Sequence, residues 1–264
     1  MSVLNGELIK RLLNTEALGR TIYSFTEVGS TNEVAFELAR NGAPHGTVVI
    51  ADSQTRGKGR LDRKWISPPG VNLYMSAVFR PEIPAREAPI ITLVSSIAVL
   101  EAVKAEGVEG VIKWPNDVIV DGKKVAGVLM EMQPSGDNVD FIVMGIGVNI
   151  NMTRQMMEAE MKEVAKIATS LKEVTGRDID RVKFSAGLIN LLELWYKRFL
   201  KEGKNAIIRE WMERWGAKNR RVEVSFNGRG FTGVAIGVDE NGYLIVRKDD
   251  GTVEKVIAGD VNLI

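Results

Sequence analysis

Between Arg56 and Lys64 the sequence places five basic residues, Arg56, Lys58, Arg60, Arg63 and Lys64, against a single acid, Asp62. The whole chain carries a net charge of only +1, so this is a local concentration of positive charge and not a generally basic surface. Gly57 and Gly59 interrupt the run and favour a loop over a helix or strand. Backbone N–H groups offered between cations suit a small anion, such as a phosphate or a carboxylate. A solvated basic loop is an equal alternative on composition alone. Two common nucleotide loops are excluded by spacing. Asp62 stands where a dinucleotide fingerprint needs its third glycine, and Lys58 is followed by Gly59 where a P-loop needs serine or threonine.

A second set of chemistry-bearing residues, Lys113-Trp114-Pro115-Asn116-Asp117, lies just before a hairpin whose turn is Asp121-Gly122. A two-residue turn there sets Lys124 opposite Ile119, beside the sheet and directly before Val125-Ala126-Gly127. Lysines close to a buried sheet are unusual unless paired or used. Taken singly the residues have structural readings: Trp114 in the core, Pro115 at a strand start, Asp117 paired with either lysine. A third set shares one face of an expected strand: Phe141, Val143, Gly145, Gly147 and Asn149. Its two glycines leave a bare patch where a ligand or a packed neighbour can come close.

Other chemistry is excluded. There are no cysteines, hence no disulfide, thiolate zinc site or cysteine nucleophile. The single histidine, His45, follows Pro44 in an expected turn, so neither a histidine-rich metal site nor histidine acid–base catalysis is expected. With 264 residues, 45% hydrophobic and 26% charged, the composition is that of a globular protein with a substantial core. No run approaches eighteen apolar residues and no signal-peptide pattern opens the chain, so a cytoplasmic protein without a membrane span is expected.

The elements that must position these residues follow from periodicity. Residues 1–20 read as a mixed, helix-like stretch. Ser30 and Glu33 have capping-box spacing before an apolar-periodic helix that stops at Gly42. A buried strand over 47–51 leads into the basic loop, a second spans 72–79, and 88–105 form a long buried helix. Residues 156–215 are expected to be helical, with interruptions near Thr175-Gly176 and Gly203. Asn227-Gly228, Asn241-Gly242 and Asp250-Gly251 then punctuate short alternating runs, as in a small antiparallel barrel beginning near Ala217.

Taken in order, Ser30-Thr31-Asn32, the 54–65 segment, Lys113 to Asp117 with Lys124 to Gly127, and Gly145-Ile146-Gly147-Val148-Asn149 resemble the biotin protein ligases over residues 20–264. The Trp211 to Trp215 helix and the β-rich end are similar too. The resemblance implies an α+β fold in two domains. Residues 1–216 would form a mixed or antiparallel sheet flanked by helices, like the class II aminoacyl-tRNA synthetase and biotin–lipoate ligase catalytic domain; residues 217–264 would form an SH3-like β-barrel. It implies that biotin's carboxylate attacks the α-phosphate of ATP, with Mg2+, and that a lysine of a biotin carboxyl carrier protein then takes the biotinyl group. This chemistry needs neither histidine nor cysteine, because positioning and cationic stabilisation do most of the work.

The resemblance also assigns roles. Ser30, Thr31 and Gln54 would bond the ureido ring of biotin, while Gly57, Lys58 and Arg60 close over its carboxylate and the phosphates. Lys113 would be the first catalytic cation, supported by Lys124 and Arg60. Lys58, Arg60, Trp65, Lys113, Asn116 and Asn149 would face the nucleotide. Trp65 would wall the biotin pocket, and Gly127, Gly145 and Gly147 would let the ligand approach the sheet. Asp117 would orient a lysine or help hold magnesium. Lys58 departs from the arginine common at its position, which keeps charge but loses bidentate geometry. Some family members carry an N-terminal winged helix-turn-helix. The twenty-odd residues before 25–32 are too few for it, so no sequence-specific DNA binding is expected, and a homodimer is. A lipoate ligase, which shares the fold but has less need of the Ser30, Thr31 and Gln54 set, is the nearest rival. A nucleic-acid module is disfavoured by near-neutral charge and by few aromatics in the last segment, Phe226, Phe231 and Tyr243. An inactive biotin-binding scaffold is disfavoured because both lysines are present.

Overall fold

A computed structural model describes residues 4–226 and 229–264; the Asn227-Gly228 turn lies outside the described residues. The first seven strands are β1 (Ile22–Val28), β2 (Val48–Gln54), β3 (Leu73–Phe79), β4 (Val111–Lys113), β5 (Asp117–Val120), β6 (Lys123–Ser135) and β7 (Asn138–Val148). They form one mixed sheet in the order β1-β2-β3-β7-β6-β5-β4. Only the β1–β2 pair is parallel; the others are antiparallel. The helices are α1 (Gly6–Lys10), α2 (Thr31–Arg40), α3 (Pro89–Ala105), α4 (Arg154–Met161), α5 (Leu171–Thr175), α6 (Arg181–Glu202) and α7 (Lys204–Arg214).

The two faces of β7 explain the layering. Ile142, Met144, Ile146 and Val148 point into the main core, where α3 and α6 pack. A helix apolar on every side belongs inside a fold, and α3 is buried nearly all round. The stretch Ala85–Ala105 has the length and hydropathy of a membrane span, but 78% of its apolar eighteen-residue window is buried within the protein, which accounts for its composition. On the opposite face Phe141 and Val143 pack with Ala35 and Ala39 of α2. Gly145 and Gly147 continue that face beyond the helix, and the cavity described below opens there.

A second sheet holds β8 (Arg221–Phe226), β9 (Arg229–Val238), β10 (Leu244–Lys248), β11 (Val253–Val256) and β12 (Asp260–Leu263), all antiparallel in the order β11-β10-β9-β8-β12. Val222, Val224, Leu244 and Val246 join the same apolar cluster as α3. Trp114 Nε1 donates to the Gly242 carbonyl at 3.0 Å, so the smaller sheet is docked beside β4.

Three expectations need correction. Ser30 is the N-cap of α2, but its side chain makes no capping bond. Glu33 instead pairs with Arg56 at 3.0 Å and Lys58 at 3.3 Å, because two cations of the loop outcompete one backbone N–H. Among the described residues before Thr21 only α1 is helical; the next turn is held by Glu193, whose carboxylate accepts the N–H groups of Glu16, Ala17 and Leu18. The helical pattern after 156 breaks at residues 162–169, where a 3-10 turn (Lys162–Ile167) gives way to extended chain tied to β6 by Thr169 N–H to the Lys124 carbonyl, 2.9 Å.

Candidate active site

A cavity of about 690 Å³ opens over the glycine half of β7. Its floor is set by α2 and β3. Thr31 N–H and Oγ1 both reach Gln54 Oε1, at 2.8 and 3.1 Å, while Ser76 Oγ lies 2.8 Å from Thr31 Oγ1 and 2.6 Å from Asn32 Oδ1. Three oxygen–oxygen contacts thus share two hydroxyl protons. The floor has acceptors to spare and suits a ligand that brings N–H donors. Ser30, Thr31 and Asn32 are all buried. Gln54 Nε2 donates to Ser67 Oγ, 2.9 Å, so the Gln54 amide is held from both ends.

The bare patch expected from Gly145 and Gly147 receives side chains. A Cβ on Gly145 would lie 2.1 Å from Asn32 Oδ1, and one on Gly147 2.4 Å from the Trp65 indole. The glycines therefore let Asn32 and Trp65 lie against the sheet and form the cavity wall. Trp65 Nε1 is buried without a hydrogen-bond partner among the described residues. Gly57 does not line the cavity. A Cβ there would meet the Trp65 carbonyl at 2.3 Å, so this glycine serves the fold of the loop, which doubles back from Lys58 to Lys64 as a small hairpin.

The other end is cationic. Lys124 Nζ sits 2.7 Å from Asp117 and 5.2 Å from the centre of the Trp65 ring. The bulge between Val118 and Ile119 and the tight turn at Asp121-Gly122 hold Lys124 opposite Ile119, as expected. Asn116 Oδ1 accepts from Arg60 Nη1 at 3.3 Å, and its Nδ2 donates to the Val128 carbonyl. Lys113 Nζ reaches Asn262 Oδ1 at 2.7 Å. Arg60 Nη2 reaches the Gly259 carbonyl at 3.2 Å, and Arg63 pairs bidentately with Asp260. Burial lowers the pKa of Lys113, against the opposing fields of Asp117 and Asp260; burial likewise lowers that of Arg60. The hydrogen bond from Arg63 holds the Asp260 carboxyl below its ordinary value.

The cavity lining includes Ser30, Thr31, Gln54, Lys58, Arg60, Trp65, Lys113, Asn116, Asp117, Lys124, Gly127, Gly145, Gly147 and Asn149, the expected site residues apart from Gly57. Asn149 lines it with its amide committed elsewhere, donating to the Thr169 carbonyl at 3.0 Å and facing Asn72 at 3.5 Å. Lys58 lies against two carboxylates, Glu33 at 3.3 Å and Glu131 at 3.7 Å. The sequence reading missed Asn32 and Ser76 on the floor, Gly259, Asp260 and Asn262 at the cationic end, and the apolar rim of Met161, Val164 and Ile167. Val164 and Ile167 are exposed apolar side chains at the mouth, a signal legible only once the 3-10 turn is placed there. The carboxylates lining the cavity are Asp117 and Asp260, and both are already paired with cations. Among the described residues no cluster of three metal-ligating side chains occurs. Asp117 thus serves Lys124, and the donor set does not fit a dedicated metal cage.

Residues 25–149 match the biotin/lipoate A/B protein ligase family and residues 219–263 the biotin protein ligase C terminal domain. The chain is 36% identical over 253 residues to the bifunctional ligase/repressor BirA of Bacillus subtilis, covering 95% of this chain and 76% of that protein. It is 30% identical over 225 residues to the biotin--[acetyl-CoA-carboxylase] ligase of Paracoccus denitrificans, covering 84% of this chain and 92% of that one. Among solved structures it is similar to the biotin protein ligase from Aquifex aeolicus in complex with biotin and ATP. That match has a TM-score of 0.76 and 29% identity, and covers 93% of this chain and 99% of the other.

Proposed function

This chain belongs to the biotin/lipoate A/B protein ligase family, and from that premise we propose that its cavity is where biotin and ATP meet. The chain is a biotin protein ligase. It activates biotin as biotinyl-5′-AMP and transfers the biotinyl group to a lysine of a biotin carboxyl carrier protein. One observation carries the placement of the reaction: a floor with spare acceptors at one end of the cavity and the cations Arg60, Lys113 and Lys124 at the other. Biotin's ureido ring brings two N–H donors and its valeryl chain ends in a carboxylate. Lipoate's dithiolane ring brings no donor, so the same floor disfavours it.

In the first half-reaction a carboxylate oxygen of biotin bonds to the α-phosphorus of ATP and the bond to the β-phosphate oxygen breaks, releasing pyrophosphate. The protein's part is to bring two anions together and to match the charge that spreads over the phosphoryl oxygens. Lys113 is the first candidate for the cation between carboxylate and α-phosphate. Lys124, steadied by Asp117 and the Trp65 face, and Arg60, steadied by Asn116, supply the rest. In the second half-reaction the acceptor lysine's neutral amine attacks the anhydride carbonyl, AMP departs, and the amine loses a proton. Because the cavity's carboxylates are engaged with cations, any magnesium would be held by the triphosphate's own oxygens, where it would supply charge neutralisation.

The adenine lies best against the rim of Met161, Val164 and Ile167, which offers an apolar surface beside the cations. The catalytic part, residues 1–216, is of the class II aminoacyl-tRNA synthetase type, and residues 217–264 form an SH3-like barrel, in line with their five antiparallel strands. The ligase works in the cytoplasm as a homodimer. Biotin-dependent exchange of labelled pyrophosphate into ATP, with lipoate in parallel, tests the reading. Exchange with biotin alone is expected; exchange with lipoate alone would overturn the substrate.

A further inference from the structure

Glu131 projects from β6 on the same face as Gly127 and Leu129, which line the cavity. It is one step beyond the lining and half-buried, and one of its oxygens accepts Asn32 Nδ2 at 2.8 Å. The Leu129 carbonyl faces the same nitrogen at 3.4 Å. With two acceptors on that side, the amide nitrogen must point away from the floor and its oxygen toward Ser76. Ser76 then spends its single proton on Asn32 Oδ1, its shortest contact at 2.6 Å. Thr31 is left with one proton for two oxygen neighbours, Gln54 and Ser76.

An inverted Asn32 amide would change the sense of the whole chain. Its nitrogen would donate to Ser76, the Ser76 proton would pass to Thr31, and the Thr31 proton to Gln54. Each contact would then hold a proton, and the spare acceptors would be gone. We propose that Glu131 is a positioning residue that fixes the Asn32 amide and thereby keeps the floor selective for the ureido N–H donors of biotin. The inference rests on the reading of the cavity as a biotin site.

Glu131 also approaches Lys58, so its hydrogen bond must be separated from its charge. Glu131→Met removes the acceptor in a side chain of similar length. Glu131→Gln keeps an amide oxygen that can accept from Asn32, where the Leu129 carbonyl at 3.4 Å is too distant to fix the nitrogen alone. Glu33→Gln removes the nearer carboxylate from Lys58, and the described side-chain partners of Glu33 are Arg56 and Lys58, not the Asn32 amide. Biotin affinity by calorimetry, and kcat and the KM for ATP in pyrophosphate exchange, are read for each, with thermal melting as the check on folding. Glu131→Met is expected to weaken biotin about tenfold, the scale of one lost hydrogen bond, with kcat and the KM for ATP within about twofold of the parent. Glu131→Gln and Glu33→Gln should bind biotin within about threefold of the parent. Unchanged biotin affinity in Glu131→Met overturns the inference. So does an equal loss in Glu131→Gln, which would make the charge and Lys58 responsible, or a parallel fall in kcat and melting temperature. Failure of the parent chain to bind biotin at all would instead overturn the reading of the site.

Discussion

At the floor of the cavity the polar groups are buried and neutral: Thr31, Asn32 and Ser76 hydrogen-bond to one another between α2 and β3, with Gln54 closing the chain. At the far end Arg60, Arg63 and Lys113 come from a loop and a short edge strand, and they meet Gly259, Asp260 and Asn262, almost at the end of the sequence. The floor is fixed by secondary structure before any ligand arrives. The cationic end is assembled from half-exposed charges on separate elements, and such pairs are individually weak. A pocket of this kind separates its two tasks. On the proposed reading, selection among ligands would fall to the buried hydrogen bonds, where an unmatched group is costly. On the same reading, phosphoryl charge would be handled by cations that can follow a ligand.

Breaking the cationic end should have the largest effect. Lys113→Ala and Lys124→Ala are each expected to lower pyrophosphate exchange by about a hundred- to a thousandfold, by analogy with loss of one transition-state donor. Biotin affinity should change much less, because the floor is untouched. Equilibrium binding beside exchange rates checks this. Unchanged turnover in Lys113→Ala would remove Lys113 from the mechanism and leave Lys124 and Arg60 as the working cations.

Breaking the floor should show the converse pattern. Thr31→Val removes a hydroxyl at nearly constant volume, leaving the Ser76 and Gln54 oxygens without it. A rise in the KM for biotin of about tenfold is expected, with kcat nearly unchanged, since one hydrogen bond of binding is lost and no transition-state contact. Equal losses in kcat would mean that the floor also acts in the chemical step.

Much of this arrangement was legible in the sequence because it lies in contiguous runs. The basic loop, the Lys113 to Asp117 segment and the alternation of β7 each announce themselves within a dozen residues. Asp260 and Asn262 could not be found this way. They are 197 and 149 residues from the cations they hold, and nothing in the local pattern of β12 marks them. Ser76 was hidden for another reason: β3 is buried along its whole length, so no alternation distinguishes its cavity face. Glu131 has the look of a solvated strand residue until α2 is packed against the sheet. Ser30 and Glu33 had the right spacing for a capping box, but the loop cations and the cavity took both side chains.

The tie between the loop and β12 should be worth less than either end. Arg63 and Asp260 are partly exposed, so their pair stabilises the loop modestly, and Asp260→Ala should raise the KM for ATP about two- to fivefold. The effect should shrink at high salt, since screening already weakens the pair in the parent. An unchanged KM at low salt would mean that the loop holds its place without β12.

The smallest effect is a shift in pH dependence, and it joins the two strands that hold Lys113. Burial disfavours its ammonium form, so the proton leaves below the ordinary lysine value of about 10.4. If adenylation needs the cation, kcat/KM must fall as pH rises through that lowered pKa. Asp117 and Asp260 oppose the effect of burial by favouring the charged form. Asp260→Asn removes one of those fields and should move the alkaline limb to lower pH. Lys113→Arg should move it upward, because a guanidinium keeps its proton throughout the accessible range. Pyrophosphate exchange measured from about pH 8 to about pH 10.5 would read both shifts. A limb that stays in place in both variants would assign it to another group, and the field of β12 would then act on the loop alone.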